Sequence, residues 1–151
     1  MSRENLLRDI APCGLVCYSC ASFEAGPIAE HARELAHWLE GFEPFAAAFS
    51  AFQPRLAAYP AFRDVLDLLA HGPCSGCRDG RGCMPGCVVR ACTAERGYAF
   101  CAECPEFPCT RADFEGQLRE AWLWANQRMR EIGQEAFWAE MRTRGHYAHG
   151  T

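Results

Sequence analysis

Three C-x-x-C pairs, Cys17/Cys20, Cys74/Cys77 and Cys101/Cys104, constrain what this chain can fold into more than any other feature. A two-residue gap places two sulfurs on one chelating turn, the usual element of a tetrahedral thiolate site. Five further cysteines bring the total to eleven in 151 residues. An odd number cannot be fully paired in one chain. The opening, Met1–Ile10, is charged throughout and carries no apolar stretch of the kind that begins a secretory signal. The expectation is therefore a cytoplasmic protein whose thiols stay reduced and bind metal, because disulfides are rare in a reducing compartment.

Around the cysteines the chain reads as one domain, 1–151, with four stretches. Residues 1–23 hold a short charged opening and the first cysteine group. Residues 24–72 read as helical: Pro27 suits a first turn, and Ile28, Ala32, Leu35, Leu39 and Phe42 recur at helical spacing up to Gly41. Phe45, Phe49, Phe52 and Leu56 repeat the pattern until Pro54 breaks it. A third helix is expected from Pro60, burying Phe62, Leu66 and Leu69 and stopping at Gly72; the aromatic stripe reads as core. Residues 73–109 are too rich in Gly and Pro for regular structure, apart from a short helix at 88–96 closed by Gly97 and a brief extended 98–100. So long a stretch with little apolar periodicity needs another source of folding energy, which metal ligation supplies. Residues 110–145 return to helix, with Thr110 and Asp113 resembling a capping box and Phe114, Leu118, Ala121, Ala125, Met129 and Ile132 on one face. Gly133 interrupts that pattern, and the end from His146 is expected to fray. The fold class expected is mainly α, a helical domain with a loop-rich, metal-stabilised cysteine module.

The candidate metal ligands are Cys13, Cys17, Cys20, Cys74, Cys77, Cys87, Cys92, Cys101, Cys104 and Cys109, with Cys83 left over. Pairs 17/20, 74/77, 101/104 and 87/92 could build two four-thiolate sites, with Cys13, Cys83 and Cys109 then left over or one of them replacing a member of the last pair, so about two zinc ions are expected. The alternative is a 4Fe-4S cluster for electron transfer or redox sensing, because Cys13, Cys17 and Cys20 are spaced C-x3-C-x2-C and share a face if helical. That spacing resembles the cluster motif of radical S-adenosylmethionine enzymes. Those enzymes need a partial β/α barrel, for which this chain is too short and too helical. The central spacing also departs from the ferredoxin run, since proline follows Cys104 and not Cys87.

Charge narrows the remaining classes. Two four-thiolate zinc sites would double the formal net charge of -4. Arg78, Arg81, Arg90, Arg96 and Arg111, in or beside the cysteine region, could offset it, or form a solvated surface. An acidic chain lacks the electrostatic footprint of a nucleic-acid binder, and no apolar run is long enough for a membrane span. His71 reads as a helix-end residue rather than a ligand. No Ser/His/Asp set or carboxylate pair points to catalysis. The leading expectation is therefore a structural metalloprotein acting as an interaction or regulatory module with an unknown protein partner. A further alternative is an enzyme with an open metal position.

The ordered motifs Cys13-Gly-Leu-Val-Cys17-Tyr-Ser-Cys20, Cys74-Ser-Gly-Cys77-Arg, Cys87-Val-Val-Arg-Ala-Cys92 with Glu95-Arg-Gly97, and Phe100-Cys101-Ala-Glu-Cys104-Pro-Glu-Phe107-Pro-Cys109 resemble the cysteine-rich proteins catalogued as domain of unknown function 3795. The tail from Asn126 to Phe137 looks similar as well. The resemblance implies a helical, zinc-binding fold and no particular activity.

Overall fold

The computed structural model describes residues 2–79 and 81–147. Seven α-helices follow in order among them: α1 (Arg3–Asp9), α2 (Pro27–Trp38), α3 (Glu43–Phe49), α4 (Tyr59–His71), α5 (Val88–Arg96), α6 (Gly116–Ile132) and α7 (Gln134–Met141). Short 3-10 turns occupy Pro54–Ala58 and Cys101–Glu103. No strand forms among the described residues, and only three isolated bridges tie extended segments together. The fold is mainly helical, as expected.

Local chemistry sets most of these boundaries. Pro27 opens α2, where its missing N–H costs nothing. Pro54 ends the aromatic repeat and starts a 3-10 turn. Gly97 closes α5 in the left-handed region at φ 71°. The charged opening forms α1, which Ser2 caps by accepting from the Asn5 N–H at 3.2 Å. One boundary expectation fails. Thr110 and Asp113 form no capping box, because α6 begins only at Gly116. The expected face of α6 is inward, with Ala125 and Met129 buried and Leu118 and Ile132 packed against the cores. Trp122 and Asn126 are buried beside it, so a tryptophan and an amide also occupy the core.

Two apolar cores share α6. One gathers Leu6, Ile10, Val16, Phe100, Ala125, Met129, Phe137 and Met141. The other gathers Ala11, Cys13, Val89, Cys101, Phe107, Ala112, Phe114 and Trp122. The first is anchored by the fully buried Asp9, which accepts from the Trp138 indole at 2.9 Å and from Arg8 at 2.8 Å. A buried carboxylate needs such partners. The helical stretch 24–72 packs mainly on itself, α2 against α4, around a small core of Ala32, Leu66 and Ala70. Its aromatic stripe is not core: Phe45, Phe49, Phe52 and Phe62 are all exposed. Phe45 and Phe49 lie on α3 and Phe52 just after it, outside the α2–α4 seam that forms this small core.

The N-terminal cysteine loop is pinned to α6. Asn126, fully buried, donates to the carbonyls of Cys13 and Trp122, both at 2.7 Å. Gly14 permits this approach: its φ is 86°, and a Cβ there would lie 2.7 Å from Asn126 and Met129 side-chain atoms. Gly14→Ala should therefore destabilise the protein by about 2 kcal/mol or more, from left-handed strain plus overpacking. A denaturation midpoint equivalent to less than about 0.5 kcal/mol of loss, the level of a neutral surface change, would contradict this account of the loop.

Candidate metal centre

Four backbone arrangements bring distant cysteines together. A bridge between Ile10 and Val16 closes the loop carrying Cys13, while Cys17 and Tyr18 donate back to the Asp9 carbonyl at 2.7 and 3.1 Å. The triad is thus a sequence of turns, not the helix that would align its three sulfurs. Next, a bridge between Phe23 and Cys74 sets the second C-x-x-C pair beside the first, with Cys74 donating to Ser22 and Glu24 donating to Cys74, both at 2.9 Å. Gly72 makes room there, since a Cβ would meet the Glu24 and Ser22 backbone within 2.9 Å. A third bridge, Gly76 to Arg81, folds the loop after Cys77 back on itself. Finally, Cys101 donates to the Pro12 carbonyl at 2.9 Å, which docks the third pair under the first loop.

Two arginines clasp these loops in place. Arg78 donates to the carbonyls of Leu7, Ile10 and Ala99 and lies 5.0 Å from the Phe100 ring centre. One side chain therefore ties α1, the central loop and the turn before Cys101. Arg130, on α6, donates to the carbonyls of Ala102, Cys104 and Phe107 and stacks 4.9 Å over Phe107. The planar fork of guanidinium suits such multiple acceptance where an ammonium would not. Neither clasp is visible in sequence, because both partners are backbone atoms far along the chain. Arg78 stays exposed at the surface while its guanidinium makes these bonds.

All eleven cysteines are free thiols. Burial and mutual charge link them into two sets that meet where Cys101 acts on Cys13. Burial pushes the Cys13 thiol up to about 12, against a hydrogen bond from the Leu15 backbone, with the charges of Cys77, Cys87 and Cys101 adding to the rise. Burial likewise raises Cys17, followed by the influence of Cys77, Cys13, Cys74 and Cys20. Cys77 and Cys83 are raised by burial and then chiefly by one another's group: Cys83, Cys74 and Cys87 act on the first, Cys74 and Cys20 on the second. Cys101 is pushed up to about 11 by burial, and its neighbouring thiols are Cys109, Cys92 and Cys104. The first group thus comprises Cys13, Cys17, Cys20, Cys74, Cys77, Cys83 and Cys87. The second comprises Cys92, Cys101, Cys104 and Cys109. In these influences Cys87 goes with Cys13 and Cys77, Cys92 with Cys101, and Cys83, left over in the sequence, with Cys77.

Polar groups face the sulfurs. The Trp122 indole N–H is buried with no full hydrogen bond, yet it lies close enough to Cys101 to favour its thiolate. Arg96 donates to the Cys104 sulfur at 3.6 Å and Arg111 to the Cys92 sulfur at 3.7 Å. The Gly76 N–H reaches the Cys74 sulfur at 3.4 Å, and Ser75 Oγ is buried without a partner. Tyr147 sits 3.9 Å from the Cys20 sulfur and accepts from the Ala21 N–H at 3.1 Å, so the expected fraying does not begin at His146; residues 148–151 lie outside the described residues. His71 instead meets the Asp67 carbonyl at 3.0 Å, a helix-end contact. Among the described residues no three ligating side chains stand in a preformed chelating arrangement. The thiols are gathered, not yet closed on a common point.

The family model described as a protein of unknown function, DUF3795, matches residues 9–114. That span contains all eleven cysteines. The chain belongs to this family. The match in this DUF3795 member ends before α6, so the similar-looking tail at 126–137 lies outside it. No curated protein and no solved structure matches.

The raised thiols make a signed prediction for the metal-free, reduced DUF3795 chain. An unfolded thiol ionises near 9.0, whereas Cys13 and Cys101 hold their protons in the fold to about 12 and about 11. The native state then binds more protons, so stability present below pH 9 should fall as pH rises toward 11, by on the order of 1 kcal/mol per pH unit for each such thiol. Anaerobic denaturant titrations across that range measure it; stability that is flat or rising would contradict the burial of these thiols.

Proposed function

We propose that this chain is a zinc-binding structural protein in which one thiolate group staples the loop of residues 74–87 to the N-terminal segment and a second closes residues 92–109 on themselves, leaving the protein to act as an interaction or regulatory module. The observation that carries this reading is the convergence of cysteines far apart in the chain, with Cys74 paired to residues 22–24 and Cys101 held by the Pro12 carbonyl. Four thiols, Cys92, Cys101, Cys104 and Cys109, form one group with the number a tetrahedral zinc site takes, and the seven others form a second. A soft, thiol-only donor set suits zinc better than a hard cation.

The surroundings fit a metal thiolate. Buried sulfurs whose charges oppose one another need a cation before they can ionise together, and bound metal offsets that repulsion. N–H groups of Trp122, Arg96 and Arg111 aimed at sulfur stabilise thiolates, as partners behind metal ligands do. Closure of the ligands on the ion would accompany binding, since the loops are gathered but open. A four-thiolate site of this kind has no vacancy for substrate, which agrees with a structural role.

Protein purified without oxygen should be colourless and contain about two zinc ions per chain, at four thiolates per ion. Strong chelation should then expose residues 73–109 to proteolytic nicking while the helices outside survive longer. Elemental analysis, a visible spectrum and limited proteolysis read these outcomes. A brown preparation with iron and acid-labile sulfide would replace zinc by a cluster. Unchanged protease resistance in demonstrably metal-free protein would remove the structural role.

A further inference from the structure

The helical stretch between the first two cysteine pairs presents an apolar strip that the fold leaves uncovered. Phe45, Phe49, Phe42, Tyr59 and Phe62 form a chain of ring contacts with centroids 5.2 to 6.4 Å apart. Phe52, 82 % exposed, extends it at the end of α3, and Val65 and Leu68, about 60 % exposed, continue from Phe62 down α4. The six exposed members offer on the order of 600 Å² of apolar side chain, taking about 150–250 Å² for a fully exposed large residue. That is the upper end of what monomers leave open.

Charge and area select the occupant. Residues 27–71 carry six carboxylates against three arginines. Arg33 and Arg63 are spent on backbone carbonyls, those of Glu24 and Ala70 for the first and Ala36 for the second. Glu40, Glu43 and Asp64 are exposed and have no cationic partner among the described residues, which leaves this segment acidic. A second copy would bring like charges together, and a face of this size falls short of the more than about 1,000 Å² per side of an obligate dimer. One amphipathic helix laid across the rings matches both the area and the mode of recognition.

We infer that the α3–α4 face docks an amphipathic helix of a partner protein, with apolar residues on Phe45, Phe49, Phe52 and Phe62 and lysines or arginines facing Glu40, Glu43 and Asp64. The face lies apart from both thiol groups, so this docking does not depend on which metal they hold. It supplies the interaction surface that the proposed role requires.

The test uses the full chain as purified and two synthetic 18-residue helical peptides with leucine at i, i+3, i+4 and i+7. One carries lysine at the flanking positions and the other glutamate. Fluorescence anisotropy should show saturable binding of the lysine peptide, weakening with salt, and little of the glutamate peptide. Phe52→Ser with Val65→Ser should weaken binding about tenfold or more; both side chains are exposed, so circular dichroism should stay unchanged. Glu43→Lys with Asp64→Lys should weaken the lysine peptide by a similar factor and strengthen the glutamate one. Equal binding of both peptides, or none, overturns the inference. So does a concentration-dependent dimer in sedimentation, or binding to phosphatidylglycerol vesicles, that the serine variant abolishes.

Discussion

The hydrogen bond from the buried Asn126 amide to the Cys13 carbonyl fixes the loop on which the rest of the cysteine arrangement is built. It joins α6 to a segment 113 residues away, and Gly14 is the only kind of residue that leaves room for it. Once that loop is held, Pro12 accepts from Cys101, Asp9 accepts from Cys17, and the first C-x-x-C pair lies where residues 22–24 can pair with Cys74. Removing the amide would leave a buried carbonyl unsatisfied, at a cost of about 1–3 kcal/mol. The thiols are thus positioned by backbone hydrogen bonds to neighbours, not by packing of the sulfurs alone.

Arginine completes the scaffold where apolar anchors are scarce. Arg78 and Arg130 each hold three carbonyls of chain that cannot form a helix or a sheet, and each covers an aromatic ring in the core. This meets the requirement that backbone acceptors in irregular segments find partners. It also gives loops rich in glycine and proline hydrogen-bond anchors that their own sequence lacks. In the proposed role the metal adds closure to a frame that hydrogen bonds have outlined.

Local signals made much of the helical part legible in the sequence. Pro27, Pro54, Gly72 and Gly97 act within one turn of themselves, and the helix ends fall beside them. Contacts across the chain were not legible. Trp122, Asn126, Arg78 and Arg130 take their roles from partners tens of residues away, and no spacing announces them. The aromatic stripe of 45–62 misleads for a related reason: periodicity shows that a face is apolar, but not whether the chain itself covers it. The C-x-x-C pairs were plain, whereas the separation of Cys87 from Cys92 depends on α5, whose start at Val88 sends Cys92 toward Arg111 and leaves Cys87 with the first loop.

That separation offers the most direct measurement of the account. Native mass spectrometry of zinc-loaded Cys104→Ser and Cys74→Ser protein, each with and without the other substitution, counts the ions that each group holds. Two independent groups predict that each single variant loses about one ion and that the double variant loses both, on the basis of four thiolates per ion. Cys92→Ser should behave as Cys104→Ser does, and adding it to that variant should remove no further ion. If Cys92→Ser instead removes the ion that Cys74→Ser removes, or if either single substitution releases all bound metal, the two-group arrangement is wrong.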